Sequence, residues 1–167
     1  MEEKKEIKIE KITLNCGTGT DTAKLERAMK LLELIVKAKP IKTTSKRRIP
    51  AFGIRPGLAI GCKVTIRGKK AEELLKRLLE AINKELSAKK FNPGSFAFGI
   101  KEYMEIPGEK YQRDIGIMGF DVCVTLTRHG FRTKRKKIKK GKIPKRQYIT
   151  KEETMEFMHK NFNINII

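Results

Sequence analysis

The amino-acid sequence predicts an α+β fold in which a mainly antiparallel sheet carries two long helices on one face and leaves the other face exposed. Extended segments come in runs between the helices instead of alternating with them one by one, which is typical of α+β proteins. Two segments repeat apolar residues at helical spacing, so each helix should bury one side. One extended segment, residues 59–67, alternates apolar with polar and cationic residues, as a strand with one buried face does.

Five segments have the alternation or the β-branched content of strands. They are residues 7–15, 41–44, 59–67, 95–106 and 117–127. The first breaks its alternation once, which indicates a bulge. The third places polar and cationic side chains on its exposed side: Lys63, Thr65 and Arg67.

Three helices are predicted. Asp21 is a good N-cap for the first, which must stop before Pro40 because the residue preceding proline avoids the helical region. Residues 71–88 form the most amphipathic segment, with six apolar side chains on one stripe, Leu86 the last of them. A Thr-x-x-Glu capping box predicts a short helix over residues 151–160.

The size and composition are those of one globular domain spanning residues 1–167. Hydrophobic residues make up 39% of the chain and charged residues 35%, which is too apolar for a disordered protein. The chain has no apolar run of about eighteen residues and no signal-peptide core, so we expect a cytoplasmic protein without membrane contact. Cys16, Cys62 and Cys123 form no CxxC pair, so we expect buried, reduced thiols, no metal and no cofactor.

The net charge of +20 is concentrated in two segments that contain no acidic residue. The first basic segment, residues 37–70, and the second basic segment, residues 128–146, hold eleven lysines and arginines each. The remaining residues carry seventeen basic and nineteen acidic side chains. Unpaired cations repel one another unless a polyanion neutralises them, so both segments predict a binding surface. Glycines and prolines interrupt both segments and tryptophan is absent, which favours nucleic acid over an amphipathic membrane-binding helix.

The loop sequence KRRIPAFGIRPG, residues 46–57, has side chains suited to RNA. Arg47, Arg48 and Arg55 can pair with phosphates and stack on bases. Phe52, beside Gly53, could be an exposed stacking platform. The alternative is a buried Phe52 with solvated arginines, but the flanking glycines and prolines place this loop at the surface and favour binding.

Catalytic motifs are absent from the sequence. CGTGTDT, at residues 16–22, precedes a helix as phosphate loops do, but it lacks the Gly-Lys-Ser/Thr ending and a third glycine. We interpret it as a tight turn with an N-cap. No serine lies in a nucleophile elbow and no acidic pair stands out. Asn15, at the end of the first strand, offers an amide suited to nucleotide edges or ribose.

Three motifs in order resemble one family. They are KITLNCGTG at residues 11–19, GIRPG-x-x-IGCKVTIRG at residues 53–68 and GFDVCVTLTR at residues 119–128. They resemble the 5S-rRNA-binding ribosomal protein family, universal large-subunit protein number five, over nearly the whole chain. The basic sequence that follows residue 131 is similar to the archaeal branch.

The resemblance implies a non-enzymatic constituent of the large ribosomal subunit that attaches 5S rRNA to large-subunit rRNA in the central protuberance. The family does this through its exposed sheet face. It implies rRNA-binding residues at matching or neighbouring positions: Asn15, Lys39, Lys42, Lys63, Thr65 and Arg67. The family often has an amide where this chain has Lys39.

The resemblance also implies further partners. The glycine-rich loop would approach P-site tRNA with Arg47, Arg48, Phe52, Gly53, Arg55 and Gly57. Residues around 107–116 would form a bridge to a protein of the small-subunit head, and other large-subunit proteins would be neighbours. An extended basic arm over residues 128–148 would bind rRNA with Arg132, Lys134, Arg135, Lys136, Lys137, Lys139 and Lys140.

Two alternative functions differ in class from this expectation. A basic DNA-coating protein would bind duplex DNA as well as structured RNA. An RNA-processing enzyme with a hidden carboxylate pair would turn over RNA when magnesium is added.

Overall fold

A computed structural model describes residues 6–167, which form eight strands and four α-helices joined by short 3₁₀ turns. The strands are β1 (Ile7–Gly17), β2 (Ile41–Thr44), β3 (Ala59–Ile66), β4 (Glu85–Leu86), β5 (Phe91–Asn92), β6 (Ser95–Ile100), β7 (Phe120–Arg128) and β8 (Asn165–Ile166). The helices are α1 (Thr22–Val36), α2 (Lys69–Glu80), α3 (Arg132–Arg135) and α4 (Lys151–Phe162). None of these helices is long and apolar enough to cross a membrane.

Six strands form one antiparallel sheet in the order β2-β3-β1-β7-β6-β5, which confirms the predicted α+β class. The central strand β1 pairs with β3 on one side and with β7 on the other. Its register against β7 shifts between Ile9 and Lys11, so the predicted bulge is confirmed.

The core lies between the sheet and the helices α1 and α2. Alternate sheet residues such as Ile12, Leu14 and Val122 are fully buried on this side. They meet the leucine stripes of the two helices, including Leu32 and Leu75. Burial of each large apolar side chain stabilises the fold by about 1.5–3 kcal/mol relative to exposure, so this contact determines which sheet face is covered.

Two predicted segment ends are wrong by at least six residues. Helix α2 ends at Glu80 instead of residue 88, because Asn83 and Lys84 adopt left-handed backbone angles (φ 54° and 57°) and β4 then pairs in parallel with β8. Leu86 is buried, but from a strand and not from the predicted helix. The extended segment predicted over residues 95–106 stops at Ile100, and a 3₁₀ turn follows at Tyr103–Glu105.

The capping box of α4 is confirmed. The Thr150 hydroxyl accepts from the Glu153 backbone N–H at 3.2 Å, and the Glu153 carboxylate accepts from the Thr150 N–H at 2.9 Å. That backbone hydrogen bond, helped by Arg128, holds the pKa of Glu153 below its ordinary value. The helix continues two residues beyond the predicted end and stops where Asn163 becomes left-handed.

The second basic segment differs from the extended arm that the sequence predicts over residues 128–148. It begins with the one-turn helix α3 and closes with a 3₁₀ turn at Lys145–Gln147. Phe131 and Tyr148 meet edge to face, 6.0 Å between ring centroids. Ile143 is also buried. These apolar contacts draw the two ends of the segment together, which its charge pattern alone does not predict.

Gly61 in β3 is required by close packing of the sheet. A Cβ there would lie 2.6 Å from the Cys16 carbonyl oxygen and 3.1 Å from the Thr43 hydroxyl. We expect Gly61→Ala to lower the free energy of unfolding by roughly 1–3 kcal/mol, the usual cost of overpacking. Urea denaturation measures this, and Gly17→Ala is the matched control because Gly17 pairs with Gly61 yet has open space around its Cα. Equal stabilities of the two variants would contradict the prediction.

Candidate nucleic-acid interface

The face of the sheet opposite α1 and α2 is a flat surface of small and polar side chains. The register places in one layer the outward residues of β1, β3, β7 and β6. They are Thr13, Asn15, Lys63, Thr65, Asp121, Cys123, Ala97 and Gly99. We call this set the sheet platform. A flat polar surface suits the wide, shallow minor groove of an A-form RNA helix, where hydroxyls and phosphates are accessible.

The centre of the sheet platform brings together three of the predicted residues. Asn15 lies between Lys63 on β3 and Asp121 on β7. In the next row the Thr13 and Thr65 hydroxyl oxygens are 3.4 Å apart. An amide, an ammonium and two hydroxyls on adjacent strands can contact ribose hydroxyls and a phosphate at the same time.

The remaining predicted rRNA-binding residues lie elsewhere. Arg67 follows β3 and forms an ion pair with Glu10 at 3.2 Å. Lys42 pairs with the buried Cys62, so alternation directs its side chain to the opposite side of the sheet. Lys39 is exposed in the connection between α1 and β2, outside any strand. The structure therefore does not bring the six residues into one cluster.

Sequence reasoning missed several members of the platform and one neighbour. The predicted surface does not include Thr13, Asp121 or Cys123, nor Ile41, which pairs with Lys63 and is 65% exposed. The predicted burial of Cys123 is wrong, whereas Cys16 and Cys62 are buried as expected. The inward alternation of β7 was a usable signal for Asp121 and Cys123, since the residues between the inward ones must face outward.

The loop over residues 45–58 connects β2 and β3 and has no buried residue. Ser45 closes its base through backbone hydrogen bonds to Leu58 and Gly57, both 2.9 Å long. An isolated bridge between Ile49 and Ile54 forms a small inner hairpin. Phe52, at its tip, is 70% exposed, so the alternative in which it joins the core is wrong.

The other predicted loop residues share this exposure. Gly53 and Gly57 have φ of 65° and 86°, a left-handed conformation that favours glycine. The three arginines of the loop are all exposed: Arg47, Arg48 and Arg55.

Because the strands are antiparallel, the loops leave from two opposite ends of the sheet. The loop over residues 45–58 leaves at the end where β1 finishes, and so does the connection over residues 101–119 from β6 to β7. Within that connection Tyr111 and Ile117 are exposed by 55% and 70%. The second basic segment leaves from the opposite end, where β7 finishes.

Buried anchors hold the connection in place. The Tyr103 hydroxyl is buried and accepts from the Gln112 N–H at 2.7 Å. Arg77 on α2 pairs with Glu109 at 2.8 Å. These two contacts hold the backbone of the connection against the rest of the protein.

Most of the clustered cations have no acidic partner within the protein. Of the twenty-two lysines and arginines in the two basic segments, three form ion pairs with carboxylates of residues 6–167: Arg67, Arg128 and Arg135. All seven predicted arm residues between Arg132 and Lys140 are exposed. The described part of the chain also contains no group of three His, Cys, Asp or Glu side chains that could hold a metal ion.

Comparisons with known proteins agree with these motifs. The family model for ribosomal protein L5 matches residues 3–55, and the model for the C-terminus of the same ribosomal family matches residues 59–157. Similar proteins include the "Large ribosomal subunit protein uL5" of Sulfurisphaera tokodaii, 46% identical over 98% of this chain and 93% of its own. The proteins with the same name from Methanosphaera stadtmanae and Nanoarchaeum equitans are 45% and 43% identical over 95% and 98% of this chain, and 95% and 97% of theirs. The chain therefore belongs to the uL5 family of ribosomal proteins.

Proposed function

We propose that the chain binds 5S rRNA through the sheet platform and attaches it to large-subunit rRNA in the central protuberance. As a uL5-family protein the chain is a structural constituent of the large ribosomal subunit, located in the ribosome in the cytoplasm, and it is not an enzyme. The single observation that carries the finer proposal is the cluster of Asn15, Lys63 and Thr65 at the centre of the sheet platform, none of whose residues is buried.

The chemistry of the platform favours RNA over DNA. Its hydroxyls and amide can pair with ribose 2′-hydroxyls, which DNA lacks. The small side chains of Ala97 and Gly99 leave the neighbouring surface flat enough for close backbone approach. A DNA-coating protein would bind duplex DNA as well as structured RNA. A competition assay between 5S rRNA and duplex DNA therefore separates the two functions.

The two loops at one end of the sheet support further contacts within the ribosome. The loop over residues 45–58 presents Phe52 and its three arginines for an RNA such as P-site tRNA. The rigid connection over residues 101–119 presents Tyr111 and Ile117, an apolar pair suited to a protein of the small-subunit head. Because both loops share one end, the 5S rRNA on the platform and these partners can be bound at the same time.

We expect Asn15→Ala and Thr65→Ala each to weaken 5S rRNA binding by about 3- to 10-fold, the effect of losing one hydrogen bond. Binding to bulk RNA should change less, because phosphate contacts dominate it. Fluorescence anisotropy with labelled 5S rRNA and unlabelled bulk RNA measures the difference. Matched controls are Thr22→Ala on α1 and Asn161→Ala on α4, both exposed and off the platform. If the platform variants discriminate between 5S and bulk RNA as well as the controls do, the platform is not the 5S site.

A further inference from the structure

One carboxylate lies in the middle of the sheet platform. Asp121 on β7 is exposed, and it is the only acidic residue of the platform. None of the ion pairs formed within residues 6–167 includes this carboxylate. A negative charge without a cationic partner repels phosphates. Its presence on a surface that binds a polyanion therefore calls for a specific ligand.

Asp121 belongs to a row of residues that crosses the platform. The register aligns four neighbouring strands in this row: Lys63 on β3, Asn15 on β1, Asp121 on β7 and Gly99 on β6. Asn15 therefore separates the ammonium group from the carboxylate. An RNA helix lying on the platform meets a cation, an amide and a carboxylate in that order.

Gly99 keeps the carboxylate accessible. A Cβ at this position would lie 3.5 Å from Oδ1 of Asp121, in van der Waals contact with it. A larger side chain would cover that oxygen, whereas glycine leaves it open on the platform side. Glycine inside a strand weakens the strand and often marks a place where a ligand approaches closely. The pairing of Gly99 with Asp121 thus indicates a ligand at the carboxylate.

The chemistry of the carboxylate restricts that ligand to a hydrogen-bond donor. An ionised carboxylate accepts hydrogen bonds and donates none. In the shallow minor groove of an A-form helix the donors are the ribose 2′-hydroxyls and the N2 amino group of guanine. On the guanine edge this amino group lies beside the acceptor N3. A matching acceptor and donor come from Asp121 and Asn15, since the Cβ atoms of directly paired residues on antiparallel strands are about 4.5–5.5 Å apart.

We propose that Asp121 recognises a guanine in the minor groove of the rRNA helix bound to the platform. The carboxylate accepts from the guanine N2 amino group, and the Asn15 amide donates to N3 of the same base. Lys63 takes a phosphate at the edge of the groove. Adenine has no donor at the position of N2 and would leave the carboxylate unpaired, so the platform distinguishes G·C from A·U pairs. This inference rests on the proposed rRNA binding and adds sequence recognition to it.

The sign of the effect of Asp121→Ala tests the proposal. If the platform contacts only phosphates, removing a negative charge must tighten rRNA binding. If Asp121 accepts from guanine, the variant should weaken binding by about 10-fold at constant salt, because a hydrogen bond to a charged acceptor is lost. The control Asp114→Ala removes the same charge from an exposed residue off the platform and should not weaken binding. Fluorescence anisotropy measures the affinity for in vitro transcribed 5S rRNA and large-subunit rRNA separately.

Nucleotide-analogue interference separates the guanine amino group from the ribose hydroxyls. The transcripts carry occasional inosine, which lacks N2, or occasional 2′-deoxynucleotides, and a phosphorothioate beside each analogue reveals its position on iodine cleavage. We expect inosine at one guanosine to be depleted from the RNA that the native protein binds. The same inosine should be tolerated by Asp121→Ala, which has already lost this contact. Asp114→Ala should keep the native pattern.

Three results would overturn the proposal. Tighter or unchanged binding by Asp121→Ala excludes a hydrogen bond from rRNA to this carboxylate. Inosine interference that is absent, or that persists in Asp121→Ala, excludes recognition of the amino group by Asp121. Relief of interference at a 2′-deoxynucleotide instead would assign the carboxylate to a ribose hydroxyl. If the native protein bound neither rRNA, the proposed function itself would be refuted, so this failure is distinguishable from the others.

Discussion

Raising the monovalent salt concentration from 50 to 200 mM is expected to weaken 5S rRNA binding by about four orders of magnitude. Nineteen cations of the two basic segments have no carboxylate partner among the described residues, so we expect rRNA phosphates to neutralise part of them. If about eight phosphates are engaged, the slope of log affinity against log salt is roughly −6 to −7. Anisotropy titrations at four or more salt concentrations measure this slope.

A variant of the second basic segment assigns part of that slope to particular residues. Changing Lys136, Lys137, Lys139 and Lys140 to Gln should make the slope shallower by about 3 to 4, or roughly 0.7–0.9 for each phosphate that is no longer neutralised. The matched control changes four lysines outside both segments to Gln: Lys30, Lys76, Lys89 and Lys160. A flat salt response of the native protein, or equal slopes for both variants, would contradict electrostatic docking by the basic segments.

Attaching a bulky maleimide to Cys123 should abolish selective 5S rRNA binding and reduce the affinity by a factor of at least about 100. A group of this size would keep an RNA helix away from the sheet platform, whose contacts require hydrogen-bond distances. Cys123 is exposed in the middle of the sheet platform, in the same row as Thr13 and Thr65 and one row from Asn15. The reaction is followed by mass spectrometry and the binding of the labelled protein by anisotropy.

The cysteines differ in accessibility, so labelling can be selective. Partial desolvation by the neighbouring sheet residues raises the pKa of the exposed Cys123 thiol, and Asp121 raises it further, so its labelling should accelerate as the pH is raised. Cys16 and Cys62 are buried, and burial raises the pKa of Cys62 to about 11. They should stay unmodified in the folded protein. Bound 5S rRNA should protect Cys123.

The control moves the label to the covered side of the sheet. Thr22→Cys in a Cys123→Ser background places a reactive thiol at the exposed start of α1. Its maleimide adduct should bind 5S rRNA like the unlabelled protein. Full binding by the Cys123 adduct would show that the sheet platform is not covered by RNA.

Local signals predicted most of the elements. Asp21 and the Thr150–Glu153 capping box start α1 and α4 as expected, because a cap depends on residues within one turn. Alternation in β3 and β7 identified the inward residues, because the pleat has a period of two. The exposure of Phe52 also followed from its flanking glycines and prolines.

Features that depend on distant residues were missed. The end of α2 is set by the pairing of β4 with β8, which lies near the other end of the chain. Lys42 lies on the other side of the sheet from Lys63, since its side depends on the β2–β3 register. The ion pairs of Glu10 with Arg67 and Arg135 join the bulge of β1 to two segments far along the chain.

The sequence by itself determined the fold class, the family and the location of the excess positive charge, because periodicity, motifs and charge are properties of contiguous residues. Only the tertiary structure decided which polar side chains share a surface. Strand register and a single bulge place Asn15 beside Lys63 and turn Glu10 among arginines, and both are set by contacts between residues far apart in the chain.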